Sequence, residues 1–448
     1  MKSIRKAFFA LVVLAMLISI CSCSAMGGGL MDGAPSGGSY GDSYLGDMGP
    51  SGDRGEGIPG EPEVDSDDSI EGSDSDSSSG KNENVTLPSG MITAGAWNDN
   101  DNYEVWLALF EQGDEEKGKF FDYTNPDYSW GYNSQNRVKV TVSCGENAIA
   151  GAQVVAYDED GNKLYAAVSD ANGNAYLFPS NDSGKIVVTS GEGRAEASFD
   201  KENRELNISL DKSGEKRDVI EIMLVVDVTG SMGDEIHFLK AELADVINRI
   251  AENNSGATIK LALLFYRDTD DMIPFAYFDF MDVTNKAGLT AQQTALNLQS
   301  ASGGGDYPEA VDEALDIAVN KQWSTGATTK IIFHVLDAPA HNGSEYKSKL
   351  VNATKTAAEK GIRICPIICS GAADSTEYTM REAAIYTGGT FVFVTDDSGI
   401  GNSHHDPELP NVTVELLNSL MVRLVNGYHS GDFADPVFWK EDPNLNNK

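Results

Sequence analysis

The feature that most constrains the fold is a regular alternation of apolar strands and amphipathic helices in the C-terminal half of the chain. Strands are predicted at Val219–Val226, Thr258–Phe265, Lys330–Leu336, Ile362–Cys369 and Thr390–Thr395. Helices are predicted between them, because apolar residues there recur at spacings of three and four. Near-continuous apolar strands alternating with helices indicate an α/β fold with a doubly wound, mostly parallel sheet that is covered on both faces.

Hard oxygen ligands follow several of these predicted strands. Asp227, Thr229 and Ser231 follow the first strand, Asp306 lies in the loop GGGDYPEA, and Asp337 follows the strand KIIFHVL. In such sheets ligands bind beyond the carboxyl ends of the strands, so we expect these side chains to meet at one edge. Carboxylate and hydroxyl oxygens suit Mg²⁺, Ca²⁺ or Mn²⁺, and the sequence therefore predicts a divalent-cation site.

Each of these groups also has a simpler interpretation. Ser231 with Asp234, and Asp306 with Glu309, match the spacing of a helix capping box. Asp337 can open a simple turn, since Ala and Pro follow it. The coincidence of the three groups at one predicted edge favours the metal site.

The segment DVTGSM resembles the Asp-x-Ser/Thr-x-Ser element of the metal-ion-dependent adhesion site (MIDAS) of von Willebrand factor A (VWA) domains. The resemblance covers roughly residues 216–427. Other segments match a subset that includes the hemicentin-like A domains: FYRDTDD, GGGDYPEA, VLDAPAH, TGGTFVFVTDD and GNSHHDPELP. The resemblance implies a bound divalent cation, Mg²⁺ ahead of Ca²⁺ and Mn²⁺, which accepts a carboxylate from a protein ligand.

The resemblance also implies roles for the five candidate metal ligands. Ser231 and either Thr229 or Asp306 would contact the ion, whereas Asp227 and Asp337 would contact it directly or through water. Integrin-like domains have a threonine where this chain has Asp306. A third carboxylate would hold the ion more firmly and reduce its need for a ligand carboxylate.

Two further polar residues are expected close to the same edge. Asp268 follows the second parallel strand and is expected beside the ligands or facing a partner. A salt bridge with Arg267 or a helix cap is an equal alternative for Asp268. His341 is expected to stabilise the local structure, although it can reach the site.

Two segments precede this region. Residues 91–135 are rich in aromatic side chains, which predicts order without defining the elements, apart from a short helix over Tyr103–Glu111. The run NDNDN at 98–102 lacks the later Gly and distal Glu of an EF-hand loop, so we expect a solvated turn.

Residues 136–210 contain short alternating runs between Gly/Asn/Asp turns, which indicates a β-sandwich. They resemble transthyretin-like or carboxypeptidase-regulatory-like modules, and Ig-like modules share the same hairpin. We expect this region to act as a spacer or accessory binding module.

The N-terminus has the pattern of a secretory signal. Residues 1–23 combine a basic start with an apolar run that is short for a membrane span. The end, ICSC, resembles the lipobox of bacterial lipoproteins, which implies lipidation of Cys23, with Cys21 the weaker candidate. An ordinary signal peptide is the alternative.

Residues 24–90 are rich in Gly, Ser and Asp, which predicts a disordered acidic linker. Residues 428–448 are expected to form a C-terminal tail.

Composition and cysteine spacing exclude several other classes. A net charge of −36 argues against nucleic-acid binding and against adsorption to anionic lipid, so the lipid anchor is the expected membrane contact. Cys365 and Cys369 lie about 13 Å apart along a predicted strand, beyond the roughly 7 Å limit for a disulfide, and are expected as core thiols.

Three functional hypotheses follow from the sequence. The first is an extracellular, membrane-anchored binding or adhesion module that captures a protein partner through its metal. The second is a hydrolase, for which HHD at 404–406 is the strongest candidate, but a third zinc ligand and an acid/base are missing. The third is a surface protein in which the metal only locks three loops. The sequence favours the first, a non-enzymatic role.

Overall fold

The computed structural model describes residues 91–446 except 114–116, 215, 326, 399–406 and 408. The signal region with Cys23, the acidic linker and the histidine pair at 404–405 therefore lie outside the described residues. Among the helices of the described part, none combines the length and apolarity needed to cross a bilayer.

The described chain begins with strand β1 (Thr93–Trp97) and helix α1 (Tyr103–Ala108), the latter within the predicted range. The NDNDN run between them is not a solvated turn. Asp99 is only 2% exposed, and its Oδ2 accepts a hydrogen bond from Nε of Arg381 at 3.0 Å. The expectation was wrong because turn chemistry is local, whereas the cation that neutralises Asp99 comes from a helix far along the chain.

An all-β region follows, as predicted, and is called the β module here. Its strands are β2 (Val138–Cys144), β3 (Asn147–Ala148), β4 (Gln153–Tyr157), β5 (Lys163–Val168), β6 (Asn174–Leu177), β7 (Gly184–Ser190), β8 (Gly193–Phe199) and β9 (Glu205–Ser209). One sheet has the order β3–β2–β6 with β9 beside β2, and the other has the order β5–β4–β7–β8. Val138, Val140 and Val142 of β2 and Val154 and Ala156 of β4 are buried, because successive side chains point to opposite faces. Most of the buried apolar residues of both sheets belong to one hydrophobic cluster.

The rest of the chain alternates strands and helices. Its elements are β10 (Lys216–Asp227), α2 (Gly233–Asn253), β11 (Thr258–Tyr266), β12 (Phe275–Asp282), α3 (Lys286–Asn297), α4 (Val311–Val319), β13 (Ala327–Leu336), α5 (Ser344–Lys360), β14 (Ile362–Ile368), α6 (Asp374–Thr387), β15 (Phe391–Val394), β16 (Glu415–Leu416) and α7 (Leu417–Ser430). The sheet order is β12–β11–β10–β13–β14–β15–β1–β16. Strands β10, β11, β13, β14 and β15 run parallel, which confirms the predicted mostly parallel α/β sheet. Cys365 and Cys369 are buried free thiols, as predicted.

Strand β1 belongs to this α/β sheet, although it precedes the β module in the chain. It runs antiparallel to β15, with Ala94 opposite Val394, and antiparallel to β16, with Thr93 opposite Leu416. The aromatic-rich segment at 91–135 therefore contributes a strand to the large sheet, and the β module is inserted after it.

The last residues also pack against the start of the described chain. Trp439 and Leu445 are buried in a small cluster with Met91 and Leu416. The region expected as a tail thus covers the sheet edge near β1 and β16.

The β module packs against helices α5 and α6. The hydroxyl of Tyr165 donates to the carbonyl oxygen of Tyr386 at 2.9 Å. The ring of Phe178 stacks on that of Tyr386, with centroids 4.5 Å apart. Apolar residues of the module and of these helices lie in one buried cluster. The contact between the module and the helices is therefore a continuous hydrophobic core.

Candidate metal centre

The candidate residues meet at the carboxyl edge of the parallel strands. Strand β10 lies between β11 and β13, and the register places Asp227 opposite Tyr266 and Val226 opposite Val335. The three strands therefore end at the same level. Asp227 ends β10, and Asp268 and Asp337 follow the neighbouring strands, so their loops lie side by side as the sequence predicted.

Asp227 lies in the middle of this edge and is fully buried. Its Oδ1 accepts hydrogen bonds from the backbone N and the Oγ1 of Thr229, at 2.9 and 2.8 Å. Its Oδ2 is buried without a hydrogen-bond partner among the described residues. One face of the carboxylate is thus held by its own loop, and the other is left for a ligand.

Ser231 connects this loop to the neighbouring strand. Its hydroxyl hydrogen-bonds to the carboxylate of Asp337. Helix α2 has Met232 at its N-cap and no side-chain cap, so the capping interpretation of Ser231 is wrong.

The glycine-rich loop between α3 and α4 pairs with the first loop through its backbone. The N–H of Ser302 donates to the carbonyl of Val228 at 3.0 Å, and the N–H of Gly230 donates to that of Gly303 at 3.2 Å. Gly304 has a positive φ of 75°, and a Cβ there would lie 2.7 Å from Oε1 of Glu309 and 3.2 Å from Cβ of Thr229. Glycine is required at this position because the loop brings Glu309 against the Asp227 loop.

Glu309 is a candidate ligand that the sequence analysis did not single out. It is 4% exposed, and its Oε2 is buried without a hydrogen-bond partner in the described structure. Its backbone N–H donates to the carbonyl of Pro339 at 3.0 Å, which fixes it next to the Asp337 loop. Helix α4 starts only at Val311 and has no side-chain cap, so the capping-box pairing of Asp306 with Glu309 is wrong. A glutamate directly before an apolar helix, in a loop at the strand ends, was the available signal.

Burial and mutual repulsion perturb the carboxyl groups at this edge. Burial, with a smaller contribution from Asp337, raises the pKa of Asp227 to about 7. Burial, followed by the charges of Asp227 and other nearby aspartates, raises the pKa of Glu309 to about 9. Burial also raises the pKa of Asp337, while the hydrogen bond from Ser231 opposes that shift. Three buried carboxyl groups therefore share a region in which their negative charges are poorly compensated.

Asp306 lies close to Asp268 and His341, the two further polar residues that were predicted near this edge. One ligand atom each of Asp268, Asp306 and His341 lies within 4.8 Å of the others. Nε2 of His341 is 3.7 Å from Oδ1 of Asp268, and its Nδ1 is buried without a hydrogen-bond partner among the described residues. Asp306 itself is exposed. The guanidinium of Arg267 donates to carbonyls of the glycine-rich loop, and the basic side chain that faces Asp268 is that of His341.

The residues present fit a hard divalent cation. Asp227 and Glu309 have buried, unpartnered oxygens, the Thr229 hydroxyl contacts Asp227, and the Ser231 hydroxyl is beside Asp337. Oxygen donors of this kind are what Mg²⁺, Ca²⁺ and Mn²⁺ take in proteins. A cation among them would stabilise the charged carboxylates, whose pKa values are raised mainly by burial. The second group, with one imidazole and two carboxylates, could hold an ion as well.

A parallel sheet with an acidic carboxyl edge defines a class of α/β ligand-binding domain. Residues 221–395 match the family model of the von Willebrand factor A domain. This chain therefore carries a VWA domain, and the α/β region is called by that name below.

Two curated proteins match parts of the chain. The chain is 25% identical over 161 residues to the alpha-protein kinase vwkA of Dictyostelium discoideum, which is 34% of this chain and 23% of that protein. It is 26% identical over 227 residues to a putative ariadne-like RING finger protein of Acanthamoeba polyphaga mimivirus, which is 45% of this chain and 20% of that protein. The chain thus spans about a fifth to a quarter of the length of these relatives.

Solved structures with similarity to this chain include two bacterial proteins. BatB from Bacteroides thetaiotaomicron is 17% identical with a TM-score of 0.30, covering 41% of this chain and 91% of that one. The pilus adhesin SpaC of Lactobacillus rhamnosus GG, in its open conformation, is 11% identical with a TM-score of 0.33, covering 64% of this chain and 34% of that one.

Proposed function

We propose that the VWA domain binds a divalent cation, Mg²⁺ ahead of Ca²⁺ or Mn²⁺, at the carboxyl edge of its sheet. Asp227, Thr229, Ser231, Glu309 and Asp337 form the principal ligand set. The ion then accepts a carboxylate from an acidic side chain of a protein partner, so the domain acts as a binding or adhesion module. Asp306, with Asp268 and His341, lies beside this set to support it or to face the partner.

One observation carries the proposal. Two carboxylate oxygens, Oδ2 of Asp227 and Oε2 of Glu309, are buried without hydrogen-bond partners in the described structure. Burying an unpartnered charged oxygen is costly unless a cation or a proton compensates it. A divalent ion compensates both groups at once and leaves coordination positions for water or a partner.

The surroundings of the edge support a protein partner. Met272 and Ile273 are exposed at 97% and 61% in the loop after β11. That loop is tied to the glycine-rich loop, because the Asp271 carboxylate accepts from the N–H of Gly304 at 2.9 Å. Exposed apolar side chains around a polar centre favour contact with another protein.

The proposed location is the outside of the bacterial cell membrane. The lipobox-like ICSC supports an anchor through lipidated Cys23, and the acidic residues 24–90 would hold the folded part away from the membrane. A role in binding rather than catalysis is favoured because the described residues of the edge offer carboxylates and hydroxyls but no nucleophile–base pair with a third orienting group.

The melting temperature of the full chain in EDTA, and then with each ion, tests the metal site. Binding to the native state alone adds about 2.7 kcal/mol of stability at a hundredfold excess over Kd. We expect a clear rise for the wild type and none for Asp227→Asn, which keeps the oxygen that accepts from Thr229. Asp127→Asn, at an exposed position, is the matched control and should respond like the wild type. No rise in the wild type with any of the ions would refute the metal site.

A second measurement separates capture of a carboxylate from a purely structural ion. The third carboxylate, from Glu309, favours the structural alternative, since it can fill the position that a partner would take. Water-proton relaxation by bound Mn²⁺ reports water in the coordination shell. We expect such water, and its loss when a glutamate-rich peptide is added but not when the glutamine-rich analogue is added. An ion without exchangeable water would show that the metal only locks the loops.

A further inference from the structure

A second polar cleft lies at the opposite end of the sheet, between the β module and the VWA domain. It has a volume of about 360 Å³ and is lined by residues from β5, the start of β13, the end of α5 and the start of β14. The metal edge lies at the other end of β13, after Leu336. The cleft is therefore separate from the site proposed above, and its size is in the range of small-molecule sites, about 300 to 1,000 Å³.

Cationic side chains dominate the lining in a chain whose net charge is −36. Lys321, Lys330, Lys360 and Arg363 all line the cleft. Burial lowers the pKa of Lys330; Glu221 opposes this shift, and the neighbouring charges of Lys360 and Arg363 add to it. Positive charges gathered in a half-enclosed space attract anions.

The acidic residues at the cleft are already partnered. Glu359 forms an ion pair with Lys163 at 2.9 Å. Oδ1 of Asp170 accepts from the backbone N–H groups of Asn172 and Asn174, at 2.9 and 2.8 Å. Glu359 therefore pairs with Lys163, which is not one of the four cations of the cleft, and the contacts found for Asp170 are with backbone N–H groups rather than with those cations.

Arg363 is buried, and it forms no ion pair with a carboxylate among the described residues. The residue is 7% exposed, its Nε has no hydrogen-bond partner in the described structure, and its Cζ lies 5.4 Å from the ring centre of Tyr428. The ring contacts one face of the guanidinium and cannot satisfy the N–H groups at its rim. The hydroxyl of Thr328 is likewise buried without a partner. Nζ of Lys330 donates to the carbonyl of Lys360 at 2.9 Å, which leaves two of its three N–H groups.

We propose that this cleft binds a small molecule through a carboxylate or phosphate group, with Arg363, Lys330 and Thr328 as the hydrogen-bond donors. Guanidinium and ammonium groups recognise both oxyanions, the guanidinium in a bidentate manner. The cleft lies between the two parts of the chain, so an occupied site would also strengthen the contact between the β module and the VWA domain.

Calorimetric titration of the full chain with succinate and with inorganic phosphate tests the site. The protein is freed of divalent ions beforehand with a chelating resin, so that the divalent-cation site plays no part and no soluble carboxylate chelator competes for the cleft, and chloride keeps the ionic strength constant. We expect saturable binding of at least one probe: succinate alone would assign a carboxylate ligand, and phosphate alone a phosphorylated one. Absence of saturable binding by both probes in wild-type protein would overturn the proposal.

Variants locate the binding. A hydrogen bond to a charged group contributes enough that Arg363→Gln should weaken binding about tenfold or more. Arg194→Gln removes the same charge from an exposed position of the β module and should leave the affinity unchanged. If Arg363→Gln does not fold, Thr328→Val, which removes only the hydroxyl, should still weaken binding several-fold. Equal affinities in wild type, the folded cleft variants and Arg194→Gln would place the anion elsewhere.

Discussion

At the scale of single residues, burial decides which carboxyl groups of this protein are unusual. Glu382 on α6 lies outside the metal edge and shows the effect most simply. Its Oε1 accepts from the hydroxyl of Ser134 at 2.8 Å, and its Oε2 is buried without a hydrogen-bond partner among the described residues. Burial raises its pKa from 4.5 to about 8. Near neutral pH this side chain is therefore largely a neutral acid within the core.

A raised folded-state pKa makes stability fall with pH in a defined window. Between about pH 4.5 and 8 the folded state keeps a proton on Glu382 that the unfolded chain releases. We expect Glu382→Gln to remove this penalty. The free energy of unfolding of the variant minus that of the wild type should therefore rise by a few kcal/mol between pH 5 and pH 8.

Urea denaturation of both proteins across this pH range measures the difference. Glu104→Gln, at an exposed position of α1, is the matched control and should follow the wild type. Parallel curves for wild type and Glu382→Gln would show that Glu382 ionises normally.

At the scale of elements, β1 joins residues that are far apart in the chain. It fills the position between β15 and β16, and Oγ1 of Thr93 lies 2.8 Å from Oγ1 of Thr395. Without β1 the backbone groups of β15 on that side lose their partners, and Val392 and Val394 lose a neighbour. The VWA domain of this chain is therefore completed by a strand from before the β module.

Removing β1 should destabilise the whole sheet. We expect residues 98–448 to unfold at a much lower urea concentration than residues 91–448, or without a cooperative transition, because an edge of a large sheet is left unpaired. A synthetic peptide of residues 91–100 should restore part of the lost stability. The same peptide with Ala94→Pro should not, since proline lacks the N–H that a strand needs. Equal stability of the two fragments would show that β1 is dispensable.

At the scale of the whole molecule, the β module and the VWA domain share a hydrophobic core. Phe178 and Tyr165 of the module pack on Tyr386 of α6. The largest apolar cluster contains residues of both parts. The two parts are expected to unfold together, because exposing that shared surface costs free energy on both sides.

Phe178→Ala tests this coupling. Removing a buried phenylalanine costs about 3–5 kcal/mol, and we expect loss of this size with one transition seen by both circular dichroism and fluorescence. Tyr128→Ala removes a ring that is 61% exposed and should cost little. A change confined to a separate, early transition of Phe178→Ala would show that the module unfolds independently.

Local patterns in the sequence were enough to predict the α/β class and the all-β region. They also predicted that Asp227, Asp268 and Asp337 lie at the carboxyl ends of neighbouring strands. These features depend on the periodicity of apolar residues and on the parallel register, both of which are properties of short segments. The sequence also indicated the buried thiols of Cys365 and Cys369, because their spacing along one strand excludes a disulfide.

The tertiary structure alone decided which distant groups meet. The burial of Asp99 by Arg381, the position of β1 and the approach of Glu309 to the Thr229 loop all depend on segments separated by many residues. The same is true of the cationic cleft around Arg363, whose walls come from the β module and the VWA domain. Burial is a property of the packed molecule, and it is burial that changes the chemistry of these charged side chains.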